Sequence, residues 1–197
     1  QRSEYRVITE TIARDLTRKW AKLVAKGDDP DGAKAARLLE LQASVDAFGI
    51  QDLFRKVAEL DGFFGRGHLY IDTGATDNPE ELQKPLPVDS RKIGKGKLVR
   101  FATVEPVWTY PNAYNSANPL RQDYYKPQSW FVMGDLVHRD RLITFVSREV
   151  PDLLKPSYSF GGISMTQLAK PYVDNWIRTR QSVSDLLHSF SKTILKT

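Results

Sequence analysis

Apolar residues recur every three or four positions near the start of the chain, which predicts helices. A first helix is expected over residues 3–26, with Ser3 as its cap and Gly27 as its end. Its apolar side chains share one stripe: Tyr5, Ile8, Ile12, Leu16, Trp20 and Leu23. A weaker stripe predicts a second helix from Asp31 to Gly49, and residues 51–60 predict a third. Short polar turns between them indicate an antiparallel helical hairpin that leads into the next unit.

The middle of the chain changes to short runs of β-branched and aromatic residues separated by Gly, Pro, Asn and Asp, which is typical of strands and turns. One strand is expected at 67–73, and a second ends near residue 104. Two more are expected at 129–134 and 141–150, with VHRD as the connection between them. The aromatic, proline-rich stretch 108–126 is interpreted as an ordered loop packed on its own domain. Stacking on bases, sugars or a peptide is the alternative.

A helical pattern returns after Ser164, which is placed to cap a final helix, with Pro171 as a kink or first turn. Its apolar stripe consists of Met165, Leu168, Tyr172, Trp176, Val183, Leu186, Leu187, Phe190 and Ile194. A helix of this length spans close to ~50 Å. That is longer than one small domain needs, so we expect the helix to project or to pack on another chain.

These elements predict one α+β domain over residues 1–197. It comprises a helical arm (1–61), a small, mostly antiparallel β-rich unit (62–156) and a long C-terminal helix (157–197). No apolar run reaches the roughly 18 residues of a membrane-spanning helix. The chain lacks an initiator Met, and its helical pattern runs to the last residues, which predicts a fragment of a longer protein.

The amino-acid composition limits the kinds of site that the protein can contain. The absence of cysteine excludes disulfides, thiolate metal sites and cysteine nucleophiles. The net charge of +5 is compatible with a polyanionic partner without requiring one. A glycine-spaced basic segment is the candidate contact with nucleic acid, through charge rather than shape. Its residues are Arg91, Lys92, Lys95, Lys97 and Arg100. A solvated hairpin tip would have the same composition.

No catalytic, metal-binding or cofactor-binding motif is readable. His68, His138 and His188 lack the spacing of metal ligands, and the two in the β-unit are not followed by the Thr or Ser of a two-histidine phosphodiesterase. The glycines at 62, 65 and 67 follow a helix and precede a strand, the reverse of a phosphate-binding loop. The residues therefore predict a protein that is not an enzyme and has no cofactor. An enzyme acting on nucleotide phosphodiesters and a stand-alone nucleic-acid-binding module are the alternatives.

The order of landmarks from Asp61 onward resembles the portal proteins of tailed bacteriophages and prophages. The landmarks are GFFGRGHLYID, Pro85-Leu86 followed by Ile93 and Gly96-Lys97-Leu98, NPLRQDYYKPQSWFV, VHRDRLITFVSREVP and KPSYSFGGISMTQLAKPYVDNW. The early R-x-L-T-R-K-W of residues 14–20 also fits, so the resemblance covers nearly the whole chain.

The resemblance implies a structural subunit of a ring of about twelve copies at one capsid vertex. It implies double-stranded DNA passing through the ring regardless of sequence, and contacts with terminase, head-completion and capsid or scaffold proteins. It also implies a place in the virion after assembly in the bacterial cytoplasm, with no membrane contact. Within such a subunit, residues 1–197 would form the wing and the approach to a stem that follows the long helix.

Overall fold

The computed structural model describes residues 2–27, 32–87 and 97–193, with side chains through residue 190. Its helices are α1 (Ser3–Arg18), α2 (Ala33–Ala47), α3 (Ile50–Phe64), the single-turn α4 (Pro79–Leu82) and α5 (Met165–Thr193). Its strands are β1 (Gly67–Asp72), β2 (Arg100–Val104), β3 (Thr109–Pro111), β4 (Ser129–Val132), β5 (Asp135–His138) and β6 (Leu142–Phe145). N-terminal helices, small antiparallel sheets and a long C-terminal helix confirm the predicted α+β class.

The strands form two three-stranded antiparallel sheets. The first has the order β2-β1-β6, and the second has the order β3-β4-β5. Leu69 pairs with Thr103 and Ile143, so alternate residues of β1 face opposite sides of the first sheet. The face that carries His68 and Tyr70 turns toward the second sheet, where the His68 ring lies 4.7 Å from the Trp130 ring. The main core lies between the sheets: Tyr70, Ala75, Leu82, Trp130, Val137, Leu142 and Phe160.

The opposite face of the first sheet is covered by α3. Phe54 of α3 meets Phe145 of β6 edge-on at 5.3 Å, and Phe48 meets Phe101 of β2 at 5.5 Å. The apolar residues of α3 predicted to be buried are Leu53, Phe54, Val57 and Leu60, and of these Val57 is fully buried. Its backbone lies so close to Gly67 that a Cβ there would come within 2.7 Å of the Val57 carbonyl oxygen. Helix and strand therefore pack at backbone distance.

The buried face of α1 is not its apolar stripe. Thr9, Ala13 and Thr17 are buried, whereas Leu16 is 69% exposed. The small face allows close approach to α3, because a Cβ at Gly62 would lie 2.3 Å from the Thr9 methyl carbon. Of the predicted stripe, Ile12, Leu16 and Leu23 are exposed, whereas Tyr5, Ile8 and Trp20 are partly buried. The closest packing on α3 is made by short side chains instead.

Several predicted boundaries were wrong. Helix α1 ends at Arg18, so residues 19–26 are not helical, and Ser3 lies inside the first turn without capping it. The third helix was expected to end at residue 60, yet α3 continues through Asp61 and Gly62 because the Asp61 carboxylate is held by Ser147 and Arg148. The expected connection VHRD contributes to β5, which forms a hairpin with β4. The expected start of α2 at Asp31 lies outside the described residues.

Helix α5 begins where α3 ends. Gly65 closes α3 with a left-handed backbone (φ +77°), and its carbonyl accepts the N–H of Gly162 at 2.7 Å. Ser164 then caps α5, as predicted, by accepting the Gln167 N–H at 3.1 Å. Pro171 lies within the helix. None of the helices that the structure describes is long and apolar enough to span a membrane.

Candidate functional site

The structure places two of the five predicted nucleic-acid contacts. Lys97 lies just before β2, and Arg100 is the first residue of that strand. Arg91, Lys92 and Lys95 lie outside the described residues.

The described residues on either side of 88–96, the stretch that holds most of the basic segment, line one cavity of about 260 Å³. Pro87, where the described chain pauses, and Lys97, where it resumes, both line that cavity. The other walls come from Thr73, Gly74, Ala75, Asn78, Glu81 and Arg141. The segment therefore leaves and rejoins the domain at the same place, beside the end of β1.

Arg141 holds the chain where it leads into the basic segment, although no motif in the sequence indicates this residue. Its side chain is 1% exposed and donates to the Lys84 carbonyl at 2.9 Å, the Glu81 carboxylate at 3.2 Å and the Thr73 hydroxyl at 3.3 Å. Glu81 also accepts from Lys84 at 3.1 Å, and this hydrogen bond is the main reason that its pKa lies below the usual value. The chain leading into the basic segment is therefore anchored to the second and first sheets together.

Arg100 is anchored by an acid. Its Nε donates to the nearly buried Asp72 carboxylate at 3.1 Å, while 61% of the Arg100 side chain stays exposed. Burial alone would raise the pKa of Asp72. Hydrogen bonds from the Gly74 N–H, Arg100 and Thr76 outweigh burial, so the pKa is lowered. The paired carboxylate offsets the Arg100 charge, so the site is less positive than the sequence suggested.

The histidines do not form a reaction centre. His68 is fully buried, its Nδ1 lies 3.0 Å from the Thr144 hydroxyl, and burial followed by repulsion from Arg66 lowers its pKa to about 3. His138 lies at the end of β5, where its ring accepts the Asp140 N–H at 3.2 Å. Across residues 2–27, 32–87 and 97–193, no three His, Asp or Glu side chains are grouped as metal ligands. His68 is thus a neutral core residue.

A second candidate surface lies on α5. Val173 is buried against the domain, but the predicted stripe faces solvent, with Trp176 48%, Val183 51%, Leu187 62% and Phe190 61% exposed. Trp176, Val183 and Phe190 are spaced by seven residues, the repeat with which a helix presents one seam to another helix. Leu186, 56% exposed, widens the same seam. Helix α5 packs on α1 and α3, yet these large apolar side chains stay about half exposed or more.

The whole chain matches the sequence model of a protein family. The sequence model of a family described as phage portal protein matches residues 1–197, the whole of this chain. No curated protein sequence matches the chain significantly. The family match extends over both candidate surfaces and over the core between the two sheets.

Proposed function

Because this chain belongs to the phage portal protein family, we propose that it serves as a subunit of the portal ring at one capsid vertex, through which DNA is packaged and ejected. The family assigns it a structural role in a bacteriophage. The ring, the vertex and the passage of DNA are our extension of that role. We further propose that residues 1–197 act as one unit, wing-like in its α/β part, with α5 leading toward a stem.

The observation that carries this proposal is the exposed stripe on α5, defined here as Trp176, Val183, Leu186, Leu187 and Phe190. Leaving five large apolar side chains in water is unfavourable by about 25 cal/mol for each Å² of apolar area. Packing against another subunit removes that area from water. Head-to-tail contacts between identical subunits generate a closed ring when the rotation between them closes.

Charged substitutions in the stripe test this role. We expect Val183→Glu combined with Leu187→Glu to prevent assembly of the full-length protein, because burying unpaired carboxylates in a helix seam is strongly unfavourable. Gln181→Glu combined with His188→Glu, on the opposite side of α5, is the matched control. Sedimentation velocity should show the control assembling like the wild type. Equal assembly by both double variants would contradict the proposed role of α5.

We also propose that the basic segment contacts double-stranded DNA without reading its sequence. Support comes from its charge and from the anchored base that Arg141 and Asp72 provide for its two ends. Phosphate contacts depend on salt, since each neutralised phosphate releases counterions.

Alanine at Lys92, Lys95 and Lys97 should therefore weaken DNA binding and flatten its salt dependence by roughly 2–3 in slope. The control removes the same charge from Lys19, Lys22 and Lys26 in the segment after α1, and it should leave the slope unchanged. If the two triple variants bind DNA alike, the basic segment is only a solvated tip.

The remaining partners follow from the same role. We propose that the assembled subunit contacts terminase, head-completion proteins and capsid or scaffold proteins, after assembly in the bacterial cytoplasm, and that it resides in the virion. We propose no catalytic step: the most deeply buried histidine is held neutral in the core, and the acids near the candidate site are engaged with Arg100 and Arg141.

A further inference from the structure

Arg66 is a buried cation at the junction of the two sheets. It follows the left-handed Gly65, and 3% of its surface is exposed. Its guanidinium lies 4.7 Å from the centre of the Trp130 ring. Nη2 donates to the carbonyl oxygens of Pro106 at 3.0 Å and Thr109 at 3.1 Å and to the Thr109 hydroxyl at 2.8 Å, while Nη1 donates to the Ser159 carbonyl. The side chain therefore ties the start of β3 to the turn before α5.

None of these partners carries a negative charge. Within the part of the chain that the structure describes, no carboxylate forms an ion pair with Arg66, and burial lowers the pKa of its guanidinium to about 10. The charge is felt nearby, because it contributes to lowering the pKa of His68. Buried charges in proteins are normally paired. Arg66 is thus a positive centre that carbonyl dipoles only partly compensate.

Arg66 also lines a cavity of about 250 Å³ that opens to solvent. The other lining residues are Phe64, Pro106, Val107, Thr109, Tyr110, Tyr158 and Ser159, and none of them is acidic. The accessible rim carries polar and apolar surface, and its apolar part includes Tyr110, Val107 and Phe64, which are 64%, 46% and 39% exposed. Apolar side chains beside a cation that no described carboxylate pairs favour a ligand with an apolar body and a single negative charge.

We propose that this cavity binds a carboxylate carried on an apolar group, with the carboxylate balancing Arg66 and the apolar group lying against Tyr110 and Val107. The guanidinium has five N–H bonds, and the described contacts on Nη1 use only one of its two. One cation matches the single charge of a carboxylate better than the larger charge of a phosphate monoester. In the assembled particle the ligand is an acidic side chain of an adjoining protein chain. That source rests on the proposed function, whereas the site itself does not.

The test uses the full chain labelled with ¹⁵N and follows the Nε–H signal of Arg66 by NMR. The probes are 3-phenylpropionate, its neutral amide and phenyl phosphate. The carboxylate should move the signal saturably and bind at least about tenfold more tightly than the amide, because a charge-assisted contact is stronger than a neutral one. Equal binding of carboxylate and amide would overturn the proposal, as would tighter binding of phenyl phosphate.

Variants separate binding from folding. Tyr110→Ala, at the exposed rim, should weaken binding of 3-phenylpropionate roughly fivefold or more, since it removes the aromatic contact. Tyr172→Ala, an exposed tyrosine on α5, is the control and should bind as the wild type does. Arg66→Gln should abolish the preference for carboxylate over amide. Should Arg66→Gln fail to fold, the comparison of Tyr110→Ala with Tyr172→Ala still decides, and equal affinities in that pair would refute the site.

Discussion

The contact between Gly65 and Gly162 decides where α5 leaves the domain, and Gly65→Ala tests it. A Cβ at Gly65 would lie 2.0 Å from the Gly162 carbonyl oxygen, a backbone atom that cannot rotate away. The same residue has φ +77°, in the left-handed region that side chains disfavour. The added methyl group should therefore destabilise the fold in two ways, through a steric clash and through an unfavourable backbone conformation.

The magnitude can be worked from these two terms. The left-handed backbone costs an alanine about 1–2 kcal/mol. Moving Gly162 away breaks the 2.7 Å hydrogen bond from its N–H to the Gly65 carbonyl, and both residues are buried. An unsatisfied buried backbone group costs about 1–3 kcal/mol. Adding the two ranges, we expect Gly65→Ala to lower the free energy of unfolding by ~2–5 kcal/mol, a large part of the stability of an ordinary domain.

Gly49→Ala is the matched control. Gly49 also has a left-handed backbone, at φ +61°, but nothing lies within 4 Å of the position of its Cβ. It should therefore lose only the conformational term of about 1–2 kcal/mol. Urea unfolding followed by far-ultraviolet circular dichroism measures both variants. Equal losses in the two would refute the argument that the Gly65–Gly162 approach is a packing constraint.

Three further predictions concern the core. Arg141→Met should cost about 3 kcal/mol in urea unfolding because it removes three hydrogen bonds worth about 1 kcal/mol each, whereas Arg139→Met, at a side chain that is 43% exposed, should cost under about 0.5 kcal/mol. The pKa of His68 is about 3 in the folded protein, whereas an unfolded histidine takes up a proton below about pH 6.5. The free energy of unfolding should therefore fall by ~1.4 kcal/mol per pH unit below pH 6.5. His68→Gln should lose this slope, and an unchanged slope in urea titrations of the variant would contradict the prediction. Ala13→Leu should destabilise by roughly 2 kcal/mol or more through overpacking against α3, while Leu16→Ser should change the unfolding midpoint little; the opposite ranking would show that the apolar stripe of α1 is buried after all.

The sequence was most informative where the local chemistry is strong. Ser164 as a cap, Gly49 as a break and the long helix after residue 164 are confirmed, because capping and glycine conformations are local effects. Residues 67–72 form a strand close to the predicted bounds, since the run is short, apolar and bounded by glycine.

Long-range packing explains the errors. Asp61 looks like a turn residue, yet it lies within α3 because Ser147 and Arg148, distant in sequence, hold its carboxylate. The hairpin of β4 and β5 was missed because its turn is Met133-Gly134, where Met133 adopts an unusual positive φ of 53°. Periodicity alone favours an apolar face, so it could not indicate that α1 would pack through its threonines.

The residues of the candidate sites likewise divide into those that the local sequence indicates and those that only long-range packing brings together. Charge clustering indicated Lys97 and Arg100 as candidate contacts, which stays a prediction, and the structure pairs Arg100 with Asp72, an acid 28 positions earlier. Arg66 and Arg141 carry no readable motif, because an arginine becomes a buried centre only through contacts between elements. The feature of the sequence that could have indicated both residues is an arginine within or beside an apolar strand.

We propose that α5 joins this subunit to copies of itself, and cryo-electron microscopy of the assembled protein would show its surroundings. We expect a closed ring in which Trp176, Val183 and Phe190 are buried against the adjacent subunit. Single, unassembled particles, or a ring in which these three side chains face solvent, would contradict it.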